Sequence, residues 1–136
     1  MIDINDAWYR ISVKAIIRNE YWKILLVYEE NKQVWDLPGW WLNHWEIPEE
    51  WLKREIIEEM WLNVLKIWNK PECFITANKL LSKTRPWVWN ICYEVVVQNL
   101  DFTPSEECCK IWFYDLESIK NINVLQNVKK VFNELF

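Results

Sequence analysis

Three glutamates in one short segment are the residues of this chain best suited to chemistry. Glu55, Glu58 and Glu59 lie at i, i+3 and i+4 in the segment PEEWLKREIIEEM, residues 48–60. A helix turns by about 100° per residue, so these spacings place the three carboxylates on one arc. Like charges so placed repel by roughly 0.2–0.5 kcal/mol per pair, which indicates either a solvated face or a bound cation. Carboxylate oxygens suit Mg²⁺ or Mn²⁺, which also bind substrate phosphates.

The segment 48–60 alone leaves both interpretations open. Pairs at i, i+4 between Arg54 and both Glu50 and Glu58 would stabilise a solvated acidic face, which is the commoner arrangement. The spacing of charged residues beyond this segment favours a metal-binding site instead. Glu46 lies eight residues before Arg54, at the end of the loop sequence WDLPGWWLNHWE.

Residues 40–62 resemble the Nudix box, G-x5-E-x7-R-E-U-x-E-E-x-G-U, in which U is a bulky aliphatic residue. Glu46 corresponds to the first glutamate, 54–56 to R-E-U, 58–59 to the paired glutamates, and Leu62 to the last aliphatic residue. All five charged positions have the spacing of the motif. The preceding WDLPG, residues 35–39, is also similar to the sequence that leads into this box. The resemblance implies a single Nudix-like domain over residues 1–136.

The resemblance also implies the metal site. In Nudix enzymes the helix carboxylates hold divalent cations on a diphosphate, so Glu55, Glu58 and Glu59 are the expected ligands of Mg²⁺ or Mn²⁺. The carbonyl of Gly39 is expected to add a ligand and to contact the substrate. Arg54 is expected to orient Glu55 through a charge-assisted hydrogen bond.

For each of the other candidate site residues, two interpretations are open. Glu46 either supports the loop and helix through polar contacts or stabilises the first helical turn as an acidic cap. The general base is either Glu55 or a distal loop acid, for which the resemblance favours Glu107 over Glu106; the alternative is that both are exposed loop acids without a catalytic role. Trp35 either stacks on a base or packs beneath the box.

The function implied is metal-dependent hydrolysis of the pyrophosphate in a nucleoside diphosphate linked to a further group X. A nucleoside triphosphate or a sugar-nucleotide is the favoured substrate. An alternative follows if the box tryptophans are real: a catalytically impaired nucleotide-binding or interaction module.

Tryptophan stands where this motif has glycine. The chain has 12 Trp and 1 Gly, against about 7% glycine in ordinary proteins. Both box glycines are tryptophan, Trp40 and Trp61. The other tryptophans at places typical of glycine or another small residue are Trp22, Trp41, Trp45, Trp51, Trp68 and Trp112. Trp35, by contrast, looks native to the family.

Three explanations compete for this pattern: conceptual translation of UGA as Trp in a gene that uses UGA for Gly, deliberate substitution, or a degenerate family member. We favour the first. UGA codons at the surplus positions would support it, and UGG codons would contradict it.

Composition restricts the possible partners and setting. The 136 residues carry a net charge of −4, so the basic surface needed for a nucleic acid polymer is not expected. No apolar stretch reaches the length of a membrane span, and no secretory signal is expected. The four cysteines have neither zinc nor disulfide spacing, which favours a cytoplasmic protein. The sequence leaves the oligomeric state, monomer or homodimer, open.

The elements that must position these residues follow from periodicity. Strands are predicted over 11–17 and 23–29 as a hairpin with a turn at 19–22, then a loop over 36–47 and a helix over 48–60. Further strands are predicted within 64–77 and 87–98 and over 110–114, followed by a helix over 123–135. This order predicts an α/β fold, a Nudix-like α/β/α sandwich with a mixed β-sheet, the box helix and a C-terminal helix.

Overall fold

The computed structural model describes residues 9–77, 87–106 and 108–136. In chain order its elements are β1 (Arg10–Ile16), β2 (Ile24–Glu29), β3 (Val34–Asp36), β4 (Gly39–Trp41), α1 (Pro48–Met60), β5 (Val64–Ile67), β6 (Cys73–Ala77), β7 (Val88–Val97), β8 (Lys110–Tyr114), a short 3₁₀ helix (Ser118–Asn121) and α2 (Gln126–Leu135).

The strands form two sheets. In the larger one, β1 lies between β4 and β7, and both β5 and β6 pair with β7 on its other side. The β1–β7 pair is parallel and the remaining pairs are antiparallel, so this sheet is mixed. The smaller sheet is antiparallel, with β2 between β3 and β8.

The two helices cover opposite sides of these sheets. One core cluster joins Leu52, Ile56 and Met60 of α1 to residues of β1 and β2, among them Val13 and Leu25. The other cluster joins buried residues of α2 to the opposite faces of the same two strands, and its members include Ile16, Leu26, Val128, Val131 and Phe132. Successive strand residues alternate between the two clusters because side chains along a strand alternate in direction. The predicted α/β/α sandwich is therefore confirmed.

The hairpin predicted from the first two strands is only partly correct. A turn closes at Asn19, whose N–H donates to the carbonyl of Lys23 at 3.0 Å, and Arg18 bridges antiparallel to Ile24. Beyond that bridge the strands separate, since β1 pairs in the larger sheet and β2 in the smaller one. The turn thus directs the chain from one sheet into the other.

The predicted loop over 36–47 is wrong at Asp36 and over residues 39–41. Asp36 ends β3, and residues 39–41 form β4 along the edge of β1. Both strands have only three residues, too few for side-chain alternation to reveal them. Helix α1 spans the predicted 48–60, whereas α2 begins at Gln126, three residues later than predicted. Among the described helices, none combines the length and apolar character needed to cross a membrane.

Candidate active site

Helix α1 carries the acidic residues, and its sequence explains its bounds. Pro48 occupies the start, where its missing N–H costs nothing, and Glu49 and Glu50 lie in the first turn near the positive end of the helix dipole. The apolar stripe of Leu52, Ile56 and Met60 is fully buried. Burial of one side in this way fixes the rotation of the helix about its axis, and with it the direction of the glutamates.

The three glutamates differ in exposure. Glu55 is buried, with 9% of its surface exposed, because it lies beside the apolar stripe. Glu59 is half-buried, and Glu58 is exposed. The acidic face therefore runs from the protein interior to solvent.

Arg54 connects this helix to the preceding loop. Its Nη2 lies 3.0 Å from Oε2 of Glu46, and its Nε lies 4.0 Å from Oε1 of Glu58. The guanidinium also covers the indole of Trp51, 4.4 Å from the ring centroid. The contacts found for Arg54 thus join loop and helix, while its predicted orientation of Glu55 stays a prediction.

A buried tyrosine holds the beginning of α1 against the sheet. The hydroxyl of Tyr93 on β7 hydrogen-bonds to the carboxylate of Glu49. Burial raises the pKa of Tyr93, and the negative charge of Glu49 raises it further. The N-terminal turn of α1 is therefore fastened to the centre of the larger sheet.

Gly39 lies where no other residue fits. A Cβ at this position would overlap the carbonyl oxygen of Val13 and the side chain of Lys14, and would lie 2.8 Å from the Cα of Lys14. Glycine is required here by the close approach of β4 to β1, since its φ is not positive.

The β4 ladder also decides where the Gly39 carbonyl points. Ala15 N–H donates to the carbonyl of Pro38 at 2.7 Å, and Leu42 N–H donates to that of Ile11 at 2.9 Å. Because hydrogen-bonded positions alternate along an antiparallel pair, the polar backbone groups of Gly39 face away from β1, at the edge of the sheet. That carbonyl is thus placed to bind a ligand.

A cleft of about 450 Å³ opens beside β4. This volume is typical of small-molecule sites, which range from about 300 to 1,000 Å³. Its lining comes from both sheets, from the loop before β8 and from the start of α2, and it includes Gly39, Trp40, Trp41 and Glu106. Helix α1 packs against β4. The acidic helix and the cleft are therefore neighbours on either side of one strand.

Buried polar residues form the floor of this cleft, and the sequence analysis did not identify them. They are Ser12 and Lys14 on β1, Asp36 on β3, Asn90 on β7 and Asn127 on α2, each at most 7% exposed. A signal was present: polar residues interrupt apolar strands at SVKAII and WNICY. Because burying polar groups is unfavourable without partners, such interruptions indicate a polar network or a site.

Trp35 does not line the cleft. Its ring packs against Tyr28 and Tyr114, with centroids 5.1 and 5.2 Å away. Its N–H donates to the carbonyl of Asn123, and its own carbonyl accepts from Leu125 N–H. The structure therefore favours packing over base stacking for this residue. Of the two distal loop acids, Glu106 lines the cleft, and Glu107 lies outside the described residues.

Three tryptophans adopt the left-handed backbone conformation that glycine usually occupies. Apart from Gln33, the described residues with positive φ are Trp22 at 62°, Trp45 at 75° and Trp61 at 56°. All three side chains are exposed. Positive φ is a genuine outlier for a bulky side chain.

Each of these tryptophans occupies a position with a known glycine preference. Trp61 ends α1, and its N–H donates to the carbonyl of Ile57, as at a left-handed helix C-cap. Trp45 is the third residue of a turn closed by Asn43 and Glu46. Trp22 is the last residue of the turn that begins at Asn19, and its N–H donates to the Asn19 carbonyl, the place of a G1 bulge. At all three positions the backbone conformation is one that favours glycine, and replacement of glycine by tryptophan stays a hypothesis.

Trp51 carries a different defect. Among the described residues, its Nε1 is the one buried side-chain nitrogen or oxygen that has no hydrogen-bond partner. Leaving such a donor unpaired costs about 1–3 kcal/mol. A small residue at this position of α1 would remove the defect.

The carboxylate oxygens of α1 have the chemistry that suits a hard divalent cation. Within the described ranges, no three acidic, histidine or cysteine side chains are grouped closely enough to hold a metal by themselves. Mg²⁺ is commonly bound by one or two carboxylates together with water and substrate phosphates, so this arrangement is compatible with it.

Comparisons with known proteins identify the fold. No protein-family model matches the sequence, and no curated protein matches it. Solved structures do match. They include the MutT protein from Methanosarcina mazei Go1, with 26% identity, a TM-score of 0.74 and coverage of 96% of this chain and 94% of that one.

Two further matches are to structures described as Nudix proteins. One is a hydrolase of this family from Clostridium perfringens, with 20% identity, a TM-score of 0.67 and coverage of 96% of each chain. The other is the Nudix domain of Shewanella oneidensis NrtR in complex with ADP-ribose, with 17% identity, a TM-score of 0.70 and coverage of 98% and 90%. The chain therefore has the fold of the Nudix hydrolases.

Proposed function

We propose that this protein hydrolyses the pyrophosphate bond of a nucleoside diphosphate linked to a further group, as a metal-dependent pyrophosphatase. The observation that carries the proposal is that α1, the helix that carries the three glutamates, packs against β4, and that β4 also lines the cleft. A nucleoside triphosphate and a sugar-nucleotide are the favoured substrates.

The charges that line the cleft support placing the base of the substrate in the cleft and its phosphates beside α1. The cleft is lined by four carboxylates, Glu29, Glu30, Asp36 and Glu106, and two lysines, Lys14 and Lys32. An excess of negative charge disfavours phosphates but tolerates a neutral base. Phosphates are accommodated beside α1, where a cation compensates for their charge.

Carboxylates of Glu55, Glu58 and Glu59 and the Gly39 carbonyl would hold Mg²⁺ or Mn²⁺ together with the substrate phosphates, and the metal would supply charge stabilisation to the phosphoryl oxygens when bound. Glu55, buried beside the apolar stripe, is held in a fixed direction on the helix. Arg54 and Glu46 keep the loop against the helix. The acceptor of the proton from the attacking water is Glu55 or a distal acid, with Glu107 preferred.

A second function, nucleotide binding with impaired catalysis, is favoured by one observation. Trp40 and Trp41 line the cleft beside Gly39. Glycine at either position would leave a nucleotide more room beside β4 than tryptophan does.

Substitution of Glu59 by Gln tests the enzymatic proposal. The change keeps the shape of the side chain and removes its charge, so kcat for the best nucleotide substrate should fall by about two orders of magnitude or more. Stability should change little, because relief of carboxylate repulsion offsets a lost interaction. Activity would be measured as release of phosphate, pyrophosphate or nucleoside monophosphate with Mg²⁺ or Mn²⁺.

Glu50→Gln is the matched control, since Glu50 is an exposed glutamate in the first turn of the same helix. It should retain the parent activity. Parent-like turnover in Glu59→Gln, or an equal loss in Glu50→Gln, would contradict the assignment.

A further inference from the structure

Two of the four cysteines face each other across the larger sheet. Cys73 on β6 is paired directly with Cys92 on β7 in the antiparallel register. Both belong to the core cluster that includes the buried residues of α2, so their side chains project to the same side of the sheet. They are 19 positions apart in the sequence, and it is the pairing of the strands that brings them together.

The distance between opposite residues of an antiparallel pair matches the geometry of a disulfide. Such residues have Cα atoms about 4.5 or 5.5 Å apart, depending on their place in the hydrogen-bonding pattern. A disulfide requires Cα atoms about 4.4–6.8 Å apart. Linking Cys73 to Cys92 therefore needs no rearrangement of the two strands.

The two thiols also interact with each other, and they differ in reactivity. The S–H of Cys92 donates a hydrogen bond to the sulfur of Cys73, which lowers the pKa of Cys73. The same hydrogen bond, together with burial, raises the pKa of Cys92. Since the thiolate is the reactive form of cysteine, Cys73 is the one suited to react first. It is also the more accessible of the two, at 7% exposed against 0%.

Cys109 provides a comparison within the same chain. It is less buried than either member of the pair, but its Sγ donates to the carbonyl of Tyr28 at 3.1 Å. Donation to a carbonyl favours the protonated thiol, which is the unreactive form. Accessibility alone would make Cys109 the first thiol to be oxidised, whereas the hydrogen bond from a second thiol favours Cys73.

We propose that Cys73 and Cys92 form a site of reversible oxidation, at which hydrogen peroxide converts the two thiols into an intramolecular disulfide. A small oxidant is required because both side chains are largely covered by the core cluster. The proposal goes beyond the proposed function and does not depend on it, since neither thiol takes part in hydrolysis.

The oxidation proceeds in two steps. The Cys73 thiolate attacks the O–O bond of the peroxide and becomes a sulfenic acid, and the departing hydroxide takes up the proton that Cys73 has lost. The Cys92 sulfur then attacks the Cys73 sulfur, the S–O bond breaks, and the hydroxyl group leaves as water with the proton of Cys92. Two thiols and one peroxide thus give one disulfide and two waters.

The disulfide would fasten β6, against which α2 packs, to the long strand β7. It would close the loop that runs from residue 73 to residue 92, which restricts the unfolded chain. The oxidised protein should therefore unfold at a temperature about 5–10 °C higher than the reduced protein.

The test uses the full chain, reduced, freed of reductant and treated with hydrogen peroxide. Remaining thiols are blocked in denaturant, and the chain is cleaved after lysine and glutamate for mass spectrometry, since Glu94 separates Cys92 from Cys108 and Cys109. We expect one intramolecular link, between Cys73 and Cys92, with two thiols left free. Dithiothreitol should reverse both the link and the rise in unfolding temperature.

Three variants assign the roles of the thiols. Cys92→Ala leaves the sulfenic acid of Cys73 without a second thiol, so dimedone should label Cys73 in this variant and much less in the parent. Cys73→Ala should form no link and show no rise in unfolding temperature with peroxide. Cys109→Ala is the matched control and should form the link as the parent does.

The parent protein decides the outcome even if a variant fails to fold. The absence of a link, a link between other cysteines, or a mapped link that leaves the unfolding temperature unchanged or lower would overturn the proposal. Labelling of Cys109 by dimedone in preference to Cys73 in the Cys92→Ala variant would also overturn it.

Discussion

Trp35, which precedes the box segment, and Trp61, near the end of that segment, lie in opposite kinds of environment. Trp35 belongs to β3, and its ring packs between two tyrosines while its backbone bonds to the chain before α2. Trp61 ends α1 with φ of 56° and with 68% of its surface exposed. One indole packs against the core, and the other is attached to a backbone that favours glycine.

The difference shows that backbone conformation and burial separate two classes of tryptophan that composition alone cannot separate. Trp22 and Trp45 share the positive φ and the exposure of Trp61. Native tryptophans bury a large apolar surface, as Trp35 does in part. Substitutions at the two kinds of position should therefore have effects of opposite sign.

The largest effect is expected at Trp35. Replacement by Gly removes a half-buried ring and adds backbone freedom to a strand, so the free energy of unfolding should fall by about 3 kcal/mol. Trp35→Phe, which retains an aromatic ring between Tyr28 and Tyr114, should lose less than half of that. Urea denaturation measures both changes, and a neutral or stabilising Trp35→Gly would remove the distinction between the two classes.

Activity should respond to the box tryptophans. Trp40 lines the cleft and Trp61 strains the end of α1, so Trp40→Gly/Trp61→Gly should raise metal-dependent kcat/KM by about tenfold, or about 1.4 kcal/mol. Further replacement of Trp41, Trp45 and Trp51 by Gly should raise it more. If the double variant hydrolyses the best nucleotide no faster than the parent, the obstruction assigned to Trp40 is wrong.

A substitution with a smaller expected effect on stability tests the backbone conformation separately. Trp61→Gly should raise the free energy of unfolding by about 1 kcal/mol, because glycine adopts positive φ without the steric cost that other residues incur. Trp112 is equally exposed but lies within β8, so Trp112→Gly should lower stability by about 0.5–1 kcal/mol. Thermal and urea unfolding would compare the two, and equal shifts would contradict the conformational explanation.

Local sequence patterns were sufficient to predict the elements whose bounds depend on neighbouring residues. The bounds of α1 follow from Pro48, the acidic first turn and the apolar stripe. The glycine-like character of Trp61 follows from its place directly after that stripe. By contrast, β3 and β4 are short, and their existence depends on pairing with β2 and β1, which no local rule predicts.

The sequence by itself determined the acidic face of α1, its spacing from Glu46 and the order of the longer strands and the helices, because helical and strand periods are properties of neighbouring residues. Only the tertiary structure decided that Lys14, Asp36, Asn90 and Asn127 meet at one cleft floor. These residues come from three strands and a helix, up to 113 positions apart. Their meeting depends on sheet order and helix packing, which arise from contacts between distant parts of the chain.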